Sequence, residues 1–285
     1  MDPMLARAFQ SWDLNHNVLW MLPLCALMYA RGFALVHLQM PRRYPVWRLA
    51  SFTFGILVVF IAIASPLDAL GALLLYIHMT QHMLLIMVAP PLIWLGQPIV
   101  PMLRALPPKL AKRLLGPLLR CRALRAAGRA FTRATVCWLA LTAAMLLWHV
   151  PQLYEIALHS EGWHEIQHAC FFAAALLFWS RVIHVWPNRL TTPRWTTIPY
   201  LVSADLINTA LSAVLSFSTH VLYPTYASAP RILAISPIED QALAGVIMWV
   251  PGSIAFLLPA VMVIVQLFEA RPHTPRRANL QVGAT

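Results

Sequence analysis

Seven apolar runs of about 20 residues dominate the chain, at 17–37, 48–66, 73–95, 133–150, 165–183, 198–219 and 242–268. About 20 residues is what a helix needs to cross a hydrocarbon core roughly 30 Å thick. The pattern predicts an all-α, polytopic transmembrane bundle of seven spans occupying 17–268, flanked by an N-terminal segment (1–16) and a tail (269–285). The longest hydrophilic stretch, 96–132, contains PPKLAKRLLGPLLRCRALRAAGRAF. Its Leu110, Leu114, Leu115, Leu118 and Leu119 alternate with Lys109, Lys112, Arg113, Arg120 and Arg122, which predicts an amphipathic connector on the membrane surface, interrupted at Gly116-Pro117. Within the runs, Pro90-Pro91 should bend or break the third span two turns beyond His82, and Pro251 should do the same in the seventh.

Composition agrees with a lipid environment. Of the 285 residues 60% are hydrophobic and 11% charged, with mean hydropathy +0.66, whereas soluble domains carry about 25% charged residues. The net charge of +11 raises the question of nucleic acid, but its distribution answers otherwise. With the N-terminus outside and the C-terminus cytoplasmic, 19 of the 21 Lys and Arg residues face inward and only Arg7 and Arg231 face out. Eight of the ten acids, Asp2, Asp13, Asp68, Glu155, Glu161, Glu165, Glu239 and Asp240, face outward. That is the segregation of the positive-inside rule, and it makes 96–132 a cytoplasmic basic loop in contact with the lipid bilayer rather than with nucleic acid. The N-terminus MDPMLARAFQSWDLN lacks a secretory n-region and cleavage site, so the first run is expected to direct insertion. Cys25, Cys121, Cys137 and Cys170 have no paired spacing, which argues against a disulfide framework or a CxxC zinc site.

Candidate chemistry lies in the histidines. In this topology His78, His82, His149, His164, His168 and His220, from four spans, collect within about 10 Å of the outer face. His16 and His159 add to that side; His37, His184 and His273 face in. His78/His82 and His164/His168 are each i and i+4, which puts both rings of a pair on one helical face, close enough to share a cation. Met79, Met83 and Met87 repeat the spacing on the adjoining face, and thioether beside imidazole favours copper, Cu(I) in particular, over zinc. A lone membrane histidine is more often a hydrogen-bond partner, and methionine at helical spacing more often packing. Convergence of six imidazoles at one depth tips the balance towards metal or cofactor handling, because polar groups in membranes are costly and line functional cavities. Spacing alone leaves copper, haem and a proton path open.

Other polar positions carry milder readings. Asp205 and Asn208 are either a proton-accessible site or interhelical hydrogen-bond partners. Asp240-Gln241 begin the seventh span as a helix cap or as a partner that holds a ligating imidazole. Trp148, Trp163, Trp249, Tyr76, Tyr154 and Tyr223 suit an interfacial belt, and Glu155, Glu161 and Glu165 a solvated outer loop.

The stretches HMTQHMLLIMVAPPLIWLGQP (78–98), LWHVPQLYEIALHSEGWHEIQHACFFAAALLFW (147–179) and DQALAGVIMWVPG (240–252) resemble the CtaG-type cytochrome c oxidase assembly factors of bacteria, polytopic proteins of the inner membrane. The resemblance covers most of 50–268. It implies a non-enzymatic role in maturing a haem-copper oxidase by helping copper reach the catalytic subunit, with a periplasmic copper donor as a further partner. Carried onto this sequence, the family pattern emphasises His78, His82, His149, His164, His168 and Asp240, with Met79, Met83 and Met248 as copper contacts. The competing expectations are a haem-binding membrane oxidoreductase and a metal-free scaffold for oxidase subunit insertion. No nucleophile elbow, P-loop, dinucleotide fingerprint or zincin motif points to a catalysed reaction.

Overall fold

The structure, a computed structural model, describes residues 10–12, 20–183 and 193–269. The N-terminal segment 1–16 apart from 10–12, the tail beyond 269, and His16, His184 and His273 lie outside the described residues.

The described elements are helical throughout. Helix α1 (Met21–Gln39) is followed by α2 (Val46–Ala64) and a single turn, α3 (Leu67–Gly71). The third apolar run is composite: α4 (Leu75–Met83), a π-helical turn (Leu84–Val88) and α5 (Ala89–Leu95). The basic segment forms α6 (Ile99–Ala105), α7 (Pro108–Arg120) and α8 (Arg122–Phe131). Beyond it come α9 (Ala134–Trp148), α10 (Pro151–His159), α11 (Glu161–Val182), α12 (Thr197–Phe217), the short α13 (Pro224–Ser228) and the 33-residue α14 (Pro237–Glu269).

Helices thus occupy all seven expected stretches, but they do not all qualify as crossings. Five are long and apolar enough, namely α1, α2, the joined Leu75–Leu95, Arg194–Phe217 and α14. A sixth arises if α8 and α9, bent by 62° at their junction, are counted together. Helix α11 has the length but opens with Glu161, His164, Glu165 and His168, which lower its apolar character. The expected interruption at Gly116-Pro117 is also displaced: α7 runs through Pro117, and the backbone leaves the helix at Cys121 instead (ψ 114°). Pro251, expected to bend or break the last span, lies inside a helix assigned without a break from Pro237 to Glu269.

At Pro90-Pro91 the expected irregularity is present and has a specific remedy. Neither proline has an N–H, so the Ile86 carbonyl loses both its i+4 and its i+5 donor. The Trp179 indole, from α11, donates to that carbonyl at 2.9 Å. One turn further on, Trp94 Nε1 donates to the Leu176 carbonyl at 2.8 Å. Two indole hydrogen bonds therefore lock α11 to the broken third span.

Burial is inverted relative to a water-soluble bundle. Leu24, Leu27, Ile254, Leu258 and Val261 point outward, while His78, Gln81, His82, Gln167, Asn208, Asp240 and Gln241 are enclosed. Such a distribution suits lipid outside and polar packing within. Helices α12 and α14 pack closely through small residues. A Cβ on Gly245 would run into Ser216 Oγ and stand 2.7 Å from the Ser212 carbonyl, and one on Gly252 would stand 2.6 Å from Asn208 Nδ2. Asn208 Nδ2 donates to the Met248 carbonyl and Ser253 Oγ to Asp205 Oδ1, so both polar residues of the sixth run hold the helix pair together. Overpacking there is predicted to destabilise: Gly245→Val should cost about 1–3 kcal/mol and lower the unfolding temperature in detergent. Gly128→Ala, where nothing lies within 4 Å, should leave it unchanged or raised.

Candidate metal centre

Helix α4 carries His78 and His82, and its start is held by a distant residue. Leu74 is extended, so the first amides of α4 have no partner within their own helix. Asp240, fully buried in α14, supplies one: Oδ2 accepts from Leu75 N–H at 2.9 Å and Oδ1 from Tyr76 N–H at 3.0 Å. The carboxylate sits where the helix dipole favours negative charge. Its neighbour Gln241 serves another helix, donating to the Leu215 and His220 carbonyls and accepting from Leu222 N–H at 2.7 Å. Asp240, expected among the metal contacts, caps α4 with both of its oxygens.

One turn in, His78 and His82 meet edge to face with Nε2 atoms 2.9 Å apart. From α11, the His168 ring lies 5.3 Å from that of His82 and 6.3 Å from that of His78. One ligand nitrogen from each of His78, His82 and His168 falls within a group whose members are all within 4.8 Å of one another. Two nitrogens bound at about 2.0 Å to one ion stand roughly 3–3.5 Å apart, so small rotations of these side chains suffice to close the trio on a cation.

The tautomer of His78 follows from its partner. Tyr226 has one hydroxyl proton and gives it to the Gly71 carbonyl at 2.8 Å; its oxygen then accepts from His78 Nδ1–H at 3.1 Å. His78 Nε2 is left as a lone pair facing His82. Burial pushes the Tyr226 phenol far above its ordinary range, so it stays a neutral donor. Such a hydrogen bond behind a ligating ring fixes its orientation. Among the described residues, His82 Nδ1 on α4 and both amide atoms of Gln167 on α11 are buried without a hydrogen-bond partner, as is His149 Nε2 at the end of α9.

The remaining candidates divide. His164 is ring-to-ring with His168 at 4.2 Å and with His78 at 5.2 Å, and its Nδ1 lies 4.0 Å from Asp68 Oδ1. His149 donates Nδ1–H to the Met145 carbonyl at 2.6 Å and lies 6.1 Å from Phe171, which touches His82. Met79, Met83 and Met248 are buried in the apolar core, Met83 reaching towards Gly252 on α14. They share that core with Phe171 and Tyr154, which pack against His82 and His78. His220 lies in an exposed turn.

Three residues of consequence escape the sequence reading. Tyr226 orients His78; Gln81 Nε2 donates to Asp68 Oδ1 at 2.9 Å and to the Ala62 carbonyl at 2.7 Å; Phe171 packs between His82 and His149. Tyr154 and Tyr223, expected in an interfacial belt, are instead buried and stacked 4.0 Å apart, with Tyr223 Oη donating to the His149 carbonyl. Glu155 is not merely solvated, since it accepts from the amide and hydroxyl of Thr225.

Residues 27–270 match the family model of the cytochrome c oxidase caa3 assembly factor. The chain belongs to this family. Relatives of the chain include uncharacterized proteins of Mycobacterium bovis and Mycobacterium tuberculosis, each 26% identical over 282 residues, 96% of this chain and 41% of theirs. An uncharacterized protein of Mycobacterium leprae is 23% identical over 268 residues, 93% of this chain and 40% of its own. The chain thus spans about two-fifths of the length of these relatives. No solved structure matches.

Removing the cap is predicted to loosen the helix that bears the centre. Asp240→Ala should cost about 1–2 kcal/mol, read as a lower unfolding temperature in detergent, and Asp240→Asn, which keeps an acceptor oxygen, should recover part of the loss.

Proposed function

We propose that this caa3 assembly factor binds copper, as Cu(I), in transit to the catalytic subunit of a haem-copper oxidase, using His78, His82 and His168 as ligands. The chain crosses a bacterial cytoplasmic membrane seven times with its N-terminus outside, so that the trio lies just under the outer surface, where a periplasmic donor can reach it. The role is non-catalytic: copper is cargo. The observation that carries the reading is the convergence of three buried imidazole nitrogens within 4.8 Å of one another from two separate helices.

The donor set supports a singly charged ion. The cost of placing an ion in a low-dielectric interior grows with the square of its charge, and none of the three ligands supplies a compensating negative charge. Imidazole suits copper, and a site of three neutral ligands binds without demanding a carboxylate to offset the charge. When the ion is absent the proton of His82 Nε2 lies between His78 Nε2 and His82 Nε2; on binding it would move to His82 Nδ1, so that His82 ligates as a neutral imidazole. Haem is the weaker reading, because rings in edge contact at 4.3 and 5.3 Å leave no slot for a macrocycle between them.

Copper analysis of the purified protein under reducing conditions tests this. Wild type should hold about one copper per chain, and His82→Ala with His168→Ala should hold little, as expected when two of three ligands are lost. A wild type that holds no more copper than the double variant contradicts the proposal. If the double variant still supports oxidase maturation in cells, the scaffold reading takes its place.

A further inference from the structure

Beside the trio lies a cavity of about 500 Å³ that no part of the copper-binding reading requires. It is walled on one side by Val59, Ile63, Leu85 and Phe172 and reaches His78 and His168 at its inner end. Its other end is lined by Asp68, Glu161, Glu165, His159 and His164. Among the described residues that line it there is no Lys or Arg. A narrow cleft with low-dielectric walls and charge of one sign concentrates counter-ions and raises their rate of entry.

Asp68 is tied to the centre rather than left on a loose loop. Gln81, which sits between His78 and His82 on α4, donates to Asp68 Oδ1 at 2.9 Å. The same oxygen lies 4.0 Å from His164 Nδ1. His164 in turn neighbours both inner rings, at 4.2 Å from His168 and 5.2 Å from His78. Carboxylate, outer imidazole and inner imidazoles therefore form an unbroken series from the mouth of the cavity to His82, whose Nδ1 has no hydrogen-bond partner among the described residues.

We propose that this cavity is the route by which the ion enters and leaves, with Asp68 and His164 as a transfer station where the ion exchanges ligands one at a time before it reaches His78, His82 and His168. The inference rests on the copper-binding reading and adds how the site is reached. Stepwise exchange explains how an enclosed trio can load and unload: the ion never has to shed all its ligands at once in an apolar interior. It also separates two properties of the protein, since the trio determines how much copper is held and the cavity how quickly it moves.

The test uses the full chain in lipid nanodiscs, Cu(I) as the probe, and the Cu(I) chelator bathocuproine disulfonate as the acceptor. Copper per chain is measured first, then the rates of loading and of chelator extraction. Two variants act independently: E161Q/E165Q removes negative charge from the exposed end of the cavity without touching Asp68, and Ala72→Trp fills the mouth at an exposed lining residue. Both should keep wild-type copper per chain. The charge variant should load roughly tenfold more slowly at low salt and lose most of its salt dependence; the tryptophan variant should slow loading and extraction together. Wild-type rates in both variants overturn the route while leaving the trio intact. Loss of copper per chain in the charge variant, with Ala72→Trp unaffected, overturns the division between entry route and binding site. A wild type that holds no copper removes the reading beneath the proposal, and the first measurement alone reveals that.

Discussion

A hydrogen bond between two imidazoles, His78 Nε2 and His82 Nε2 at 2.9 Å, sets the terms for the rest of the molecule. Polar rings enclosed in an apolar bundle are expensive unless each nitrogen has somewhere to turn. Much of the buried hydrogen bonding nearby gives α4 and its rings a fixed position. Asp240 supplies the acceptors for the first amides of the helix, Tyr226 Oη accepts a hydrogen bond from His78 Nδ1–H, and Gln81 donates to Asp68 and the Ala62 carbonyl. His168 then comes in from α11, a helix that two indole-to-carbonyl bonds hold against the broken third span.

The break itself belongs to this arrangement. A regular helix through Pro90-Pro91 would leave the Ile86 carbonyl without a donor in the membrane interior. Trp179 supplies that donor through a bond to Ile86 that spans 93 positions of sequence, so the proline pair and the tryptophan act as one device. The π turn lies between this device and the imidazoles, consistent with the tendency of such turns to occur beside functional sites.

What could be read from the sequence alone was local in character. The seven helical stretches follow from hydropathy, the facing of His78 and His82 from a spacing of four, and the interhelical use of Asn208 from the cost of an amide in lipid. What could not be read depends on long-range partners. Asp240 meets Leu75 across 165 positions and Tyr226 meets His78 across 148, and nothing in either neighbourhood distinguishes a capping carboxylate from a ligand or a buried tyrosine from an interfacial one. The methionines were legible in position. Their chemistry suits Cu(I), yet one residue of offset from the histidines turns them about 100° around α4 and into the core against α14.

The central claim is that imidazole nitrogens alone surround the ion. X-ray absorption at the copper edge of the Cu(I)-loaded protein addresses it most directly. The account predicts a nitrogen-only shell near about 2.0 Å, the usual metal–imidazole distance, with the outer-shell scattering pattern of histidine rings. A shell dominated by sulfur at about 2.3 Å would place the ion among the methionines and contradict the account.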